Sequence, residues 1–264
     1  MQRLRRLTRR RSVRRRDGAF VAEGSKLVAA AIDAGVPIEA VYHAPDAAAS
    51  PGAAEVLGRA RQAGIRVFGL AQGVMERVAD ATTPQPLLGV VAAIDVGLVD
   101  VVSAPLLFVL VDVRDPGNLG AILRVAGGCG AGGVVCCEGT ADVYNPKTVR
   151  ASAGALFSVP VVVGIPPDVA LSEIGTAGYR RVGTAVRGGS DPATVDLGTK
   201  VALVFGNEAQ GLDASLARSL DSVVTIPMAG VTESLNVATA AAVLGFALAP
   251  RLRLGPGGPY DEPT

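Results

Sequence analysis

Leu106–Val111 and Val201–Phe205 are uninterrupted apolar runs, each ending at a polar or glycine turn. Runs of this length and content are buried on both faces, the pattern of strands inside a parallel sheet. Gly133–Cys137, Val159–Val163, Arg181–Val186 and Ser222–Ile226 extend the series, with helical periodicity between them. The chain therefore reads as α/β with a mostly parallel sheet. With 33 glycines, no tryptophan and 4% aromatic residues, the core must be built from Val, Leu and Ala.

Upstream, residues 19–94 alternate short apolar runs with helical ones. Strands are expected at Phe20-Val21, Ile38–Tyr42, Ile65–Phe68 and Leu87–Ile94, and helices near Ser25–Ala34, Ala53–Ala63 and Gly73–Ala79, giving a compact α/β module. These boundaries give a basic arm over 1–16, a first domain over 17–95, a second over 104–250, and a mobile tail over 251–264 containing Gly255-Pro-Gly-Gly-Pro259.

The 25 Lys and Arg residues nearly balance 24 Asp and Glu, but nine of the cations fall within residues 1–16, which hold no acid. The rest of the chain carries 16 cations against 24 acids. Such an arm suits a phosphate backbone, and the alternative is a solvated tail. Arg9, Arg10, Arg11, Arg14, Arg15 and Arg16 are its candidate contacts to such a backbone. No apolar run of signal-peptide or membrane-span length follows, so a cytoplasmic protein is expected. Three cysteines without C-x-x-C spacing and the single histidine His43 argue against a zinc site and against a Ser/His/Asp or Cys/His triad, and the thiols read as buried in a reducing compartment.

Three turns carry the chemistry. In Asp112-Val-Arg-Asp-Pro-Gly-Asn-Leu-Gly-Ala-Ile-Leu-Arg124, Pro116-Gly117 turns the chain, Asn118 reads as a helix cap, and Arg124 sits among apolar residues where it needs an anion or snorkels to the surface. In Val201-Ala-Leu-Val-Phe-Gly-Asn-Glu208, a strand delivers Gly206, Asn207 and Glu208 to its carboxyl end, with Gly211 close behind. In Thr232-Glu-Ser-Leu-Asn236, polar groups gather at the start of a small-residue helix, either as an ordinary cap or as a ligand turn. Lys147 and Arg150 share a face of a short helix capped by Asn145 and begun by Pro146, and could grip phosphate or face solvent. Gly128-Cys-Gly-Ala-Gly-Gly133 matches G-x-G-x-x-G, but a helix precedes it and a strand follows, the reverse of a dinucleotide loop.

In this order the segments Asp115–Arg124, Phe205–Leu212 and Ile226–Asn236 resemble the three motifs of the SpoU (TrmH-type) branch of the SPOUT RNA 2'-O-ribose methyltransferases, with no departure inside them. Asn145–Phe157 fits the same family, and residues 19–94 resemble its ribosomal-protein-like substrate-binding domain. The resemblance implies a C-terminal trefoil knot, S-adenosylmethionine as donor, no metal, and a homodimer whose active site uses both subunits. It places the cofactor against Thr184, Ala185, Val186, Gly206, Asn207, Gly211, Ile226, Met228, Ser234, Leu235 and Asn236. It puts Asn118, Arg124, Glu208, Ser234 and Asn236 in catalytic positions. The substrate it implies is structured RNA, 23S rRNA above tRNA, the remaining alternative being a non-catalytic RNA-binding protein of the same fold.

Overall fold

The computed structural model describes residues 1–79, 83–231 and 233–252, so Thr232 and the expected tail beyond Leu252 lie outside the described residues. The chain forms two compact units, one from residues 1–94 with 142–158, the other from 95–141 with the chain from 159 onward. Compactness thus divides the chain differently from the expected boundaries. Segment 142–158, expected within the second domain, folds with the first unit.

In chain order the first unit contains α1 (Gln2–Arg9), α2 (Arg11–Asp17), β1 (Ala19–Glu23), α3 (Ser25–Asp33), β2 (Ile38–His43), α4 (Pro51–Gln62), β3 (Val67–Gly69), α5 (Met75–Val78) and β4 (Leu87–Ala92). After α6 (Pro116–Gly128) of the second unit, α7 (Pro146–Ala151) returns to the first. Its four strands run in the order β1-β4-β2-β3, with β4 antiparallel to both neighbours and β3 parallel to β2.

The arginine-rich start is not an arm. Leu4, Leu7 and Val13 are buried with Val21, Leu88 and Val90, because apolar residues recur at helical spacing among the cations. Arg14, expected to meet RNA, is 4% exposed. Its Nε lies 2.9 Å from Asp142 Oδ2, and its Nη1 donates to the carbonyls of Leu7 and Thr8, which the end of α1 leaves without helical partners. Gly18, at φ 57, then ends α2. Phe20 stacks on Tyr144 and Phe157, and buried Glu23 accepts from Arg150 Nη1 at 3.1 Å and from the backbone of Gln85. Arg150 is therefore committed to holding segment 142–158.

The second unit is built on a six-stranded parallel sheet. Its strands are β5 (Leu106–Leu110), β6 (Gly133–Cys137), β7 (Val161–Ile165), β8 (Arg180–Thr184), β9 (Val201–Phe205) and β10 (Ser222–Val224), arranged as β10-β8-β9-β5-β6-β7. Its helices include α8 (Pro167–Thr176), α9 (Ala214–Ala217) and α10 (Val237–Leu248). Strand edges shift by up to two residues from expectation, but every expected strand is present.

Val109, Val135 and Val204 pack on one face with Leu171 and Ile174 of α8. On the sheet's central strands Phe108 and Phe205 meet with ring centres 5.4 Å apart. Gly245 lets α10 lie against Phe108, since a Cβ there would come within 2.8 Å of Phe108 Cζ. The glycines before β6 serve packing, as a Cβ on Gly132 would overlap Ala104 and one on Gly133 would press on Val101. All three cysteines are free and buried. Arg251 donates to the carbonyls of Pro192 and Val195, so the start of the expected tail is pinned.

From β5 the chain steps outward through β6 and β7, whereas β9, paired beside β5, leads to β10 at the opposite edge. The carboxyl ends of β5 and β9 are therefore neighbours from which the chain departs in opposite directions, which opens a crevice there.

Breaking the Arg14–Asp142 pair removes the counter-ion of a carboxylate that is only 12% exposed. Arg14→Ala is expected to destabilise the chain by about 3 kcal/mol or more. Arg14→Met should lose measurable stability too, because Asp142 still lacks its counter-ion, with urea titration as the readout.

Candidate active site

The β5 turn is shaped by two aspartates. Asp112 sits at φ 58, a left-handed conformation that costs a non-glycine residue roughly 1–2 kcal/mol. Asp115, not Asn118, caps α6. Its side chain accepts from Asn118 N at 2.9 Å, and Pro116 occupies the first turn where no N–H is needed. The capping reading failed because D-P-G-N offers two candidate caps, and the proline position decides between them.

Freed from capping, the Asn118 side chain joins two other elements. Its Nδ2 donates to Glu208 Oε1 at 3.0 Å, and its Oδ1 accepts from Asn236 Nδ2 at 2.9 Å. Asn236 in turn caps α10, accepting from Ala238 N at 2.8 Å. The cap reading of the turn thus holds for Asn236, whose amide also reaches the β5 turn through Asn118.

The β9 turn is closed on itself. Asn207 N and Gly211 O lie 3.0 Å apart and the reciprocal pair 2.9 Å, with Gly211 at φ 69. Gly206 admits no side chain, since a Cβ would stand 2.4 Å from the Gly211 carbonyl carbon. Asn207 accepts from Ala209 N and Gln210 N, while its Nδ2 donates to the Asp112 carbonyl at 3.0 Å and to Asp112 Oδ2 at 3.1 Å. This fixes where Glu208 stands. Burial pushes the Glu208 carboxyl pKa up, but hydrogen bonds from Asn118 and from the backbone of Arg114 and Asp115 outweigh it, leaving the group below the usual glutamate value and ionised at neutral pH.

Beside this chain of contacts lies a cavity of about 150 Å³ between the carboxyl ends of β8, β9 and β10 and the start of α10. Thr184, Ala185, Val186, Gly206, Asn207 and Gly211 line it, as do Ile226, Met228, Ser234 and Leu235, together with Glu208. Asn236 does not line it. Glu233, Ala240 and Leu244 do, and sequence reasoning passed over them. The small-residue stripe of α10 is the signal for the last two.

Arg124 falls outside this cluster. Its side chain is exposed on α6 and forms no hydrogen bond or ion pair among the described residues. Six residues beyond Asn118, it stands about 9 Å further along the helix and on a different face. In the first unit Arg9, Arg10, Arg11 and Arg15 are exposed without ion pairs among the described residues, Lys147 is exposed, and Arg16 pairs with Asp17. No group of His, Cys, Asp and Glu among the described residues could hold a metal, and no described helix is long and apolar enough to cross a membrane.

The model of the SpoU rRNA methylase family matches residues 105–246, more than half of the chain and all of the turns just described. The chain belongs to the SpoU rRNA methylase family. An MRM3-like substrate-binding domain matches residues 1–89. Among relatives of this SpoU protein, a 23S rRNA (guanosine(2553)-2'-O)-methyltransferase of Bacillus subtilis is 35% identical, covering 71% of this chain and 74% of its own. A 23S rRNA (uridine(2479)-2'-O)-methyltransferase of Streptomyces viridochromogenes is 34% identical over 89% of this chain and 83% of its own. The AdoMet-bound rRNA methyltransferase of Sinorhizobium meliloti superposes with a TM-score of 0.82 at 31% identity, covering 96% of this chain and 95% of that one.

The Glu208 contacts have a pH signature. Because its folded pKa is depressed, the stability they contribute is present above the ordinary glutamate value of about 4.3 and lost as pH falls through the lower folded value. Glu208→Gln should flatten the acid limb of the melting temperature against pH, and an unchanged limb would show that the contacts do not persist in solution.

Proposed function

We propose that this chain transfers a methyl group from S-adenosylmethionine to a ribose 2'-hydroxyl of ribosomal RNA, in the compartment where ribosomes are made, the cytoplasm. The observation that carries this reading is that Glu208 both lines the cavity and holds Asn118, so the pocket and the polar chain Glu208–Asn118–Asn236 are one site. The pocket fits the donor chemically. Ile226, Leu235 and Leu244 offer an apolar slot for a base, Gly206 leaves backbone exposed at close range, and Glu233 and Ser234 offer polar groups to an amino-acid end.

The donor supplies an electrophilic methyl group on a sulfonium. With the donor bound, the ribose 2'-oxygen would take the methyl in line as the methyl C–S bond breaks, the donor would leave as a neutral thioether, and the hydroxyl proton would pass to solvent. Glu208, ionised, does not deliver a proton and serves to orient Asn118. Arg124 orients the hydroxyl and its phosphate and stabilises developing alkoxide charge, since a guanidinium with pKa above about 12 seldom acts as a base.

Because Arg124 stands apart from the pocket of its own chain, it serves the pocket of a second copy in a homodimer. Exposed Val243 and Phe246 form an apolar stripe on α10, and α10 packs on α6 with Gly128 against Phe246, which supports this pairing. The trefoil knot implied by the family belongs to the same reading.

Labelled methyl transfer to unmodified rRNA and tRNA tests the proposal, with mapping of 2'-O-methylation in cells with and without the gene. Transfer to neither RNA would leave an RNA-binding protein of the same fold. Arg124→Lys is expected to lower turnover at least tenfold by removing a planar fork. Mixing Arg124→Ala with Asn118→Ala chains should restore activity that neither has alone, and no recovery would place Arg124 at its own pocket.

RNA contact falls to Arg9, Arg10, Arg11 and Arg15. Deleting residues 1–16 would unfold the unit, so these four are best changed to Gln. The slope of log K against log salt should then fall by up to about 3.

A further inference from the structure

Asp112 holds a strained backbone, and its carboxylate gains two partners by doing so. Oδ1 accepts from Arg114 Nε at 2.8 Å, and Oδ2 accepts from Asn207 Nδ2 at 3.1 Å. One carboxylate thus joins the β5 turn to the β9 turn and grips a guanidinium. Strain of this kind at a pocket edge marks a position kept for what it places there.

What it places is an unused cation. Arg114 is rooted at the site, because its backbone N–H lies 3.3 Å from Glu208 Oε2, while its side chain remains 72% exposed. Pairing through Nε occupies one of five donors, and both terminal nitrogens have no partner among the described residues. As a surface ion pair the contact would contribute little to stability, and it does not explain the strained aspartate. The cavity beside it is lined by the carboxylates of Glu208 and Glu233, which repel a polyanion. A substrate with a phosphate at each nucleotide needs a positive group to approach this edge.

We propose that Arg114 binds a backbone phosphate of the RNA next to the ribose that is methylated, and that Asp112 is the positioning residue that aims it. This rests on the methyltransferase reading above. Oriented by Asp112, the free edge of the guanidinium presents two parallel N–H groups, the geometry that matches phosphate oxygens.

The test uses the full-length, AdoMet-loaded chain and an unmodified 23S rRNA transcript, with equilibrium binding measured across salt and methyl transfer measured in parallel. Arg114→Ala should weaken RNA binding about tenfold and reduce the salt slope by about 1, while AdoMet affinity stays within twofold and reports an intact fold. Arg114→Lys should keep the salt slope and recover part of the affinity. Asp112→Asn should weaken RNA binding less, and Asp112→Asn with Arg114→Ala should bind no worse than Arg114→Ala alone, because the aspartate acts through the arginine. Wild-type affinity and slope in Arg114→Ala would overturn the proposal, as would fully additive losses in the double variant. Wild-type chain that binds the transcript without transferring methyl would defeat the methyltransferase reading, while the binding comparison would still decide Arg114.

Discussion

The lateral pairing of β5 with β9, from Leu106 opposite Val201 to Leu110 opposite Phe205, is what the site depends on. It sets two turns side by side that are some ninety residues apart in sequence. Once adjacent, the turns are locked by short polar contacts, Asn207 to Asp112 and Asn118 to Glu208, and Asn236 extends the lock to α10. Each asparagine meets one partner as donor and another as acceptor, which a carboxylate or an amine at the same position could not do. The apolar strands supply the placement and the amides supply the precision.

Much of this was legible in the residues because the strands are buried on both faces. Continuous Val and Leu runs leave no ambiguity of face or period, so Val201–Phe205 was located to the residue. The polar turns stood out because Gly206, Asn207 and Glu208 follow an apolar strand end, although asparagine there also closes turns and caps helices, as Asn207 and Asn236 do. The polar chain itself did not, because hydrogen bonds between Asn118, Glu208 and Asn236 depend on strand order, which local pattern does not encode. The N-terminal segment misled for a related reason. Nine arginines dominate its composition, while Leu4 and Leu7, one helical turn apart on α1, and Val13 on α2 decide its fate, since burying them outweighs leaving the whole segment in water.

The nine arginines divide by environment. Arg14 is enclosed and satisfied by one carboxylate and two carbonyls, and Arg3 spans Asp17 and Glu39. Arg9, Arg10, Arg11 and Arg15 keep their charge in solvent. A single basic segment therefore supplies both structural glue and an electrostatic surface, and composition alone could not have separated the two.

The return of segment 142–158 to the first unit has a consequence for biosynthesis. Phe20, Glu23 and Arg14 all await partners from Asp142, Tyr144, Arg150 and Phe157. On the ribosome the leading part of the chain stays incomplete until β5, α6 and β6 have been translated. During that interval its unpaired charges and aromatic faces are open to chaperones and proteases.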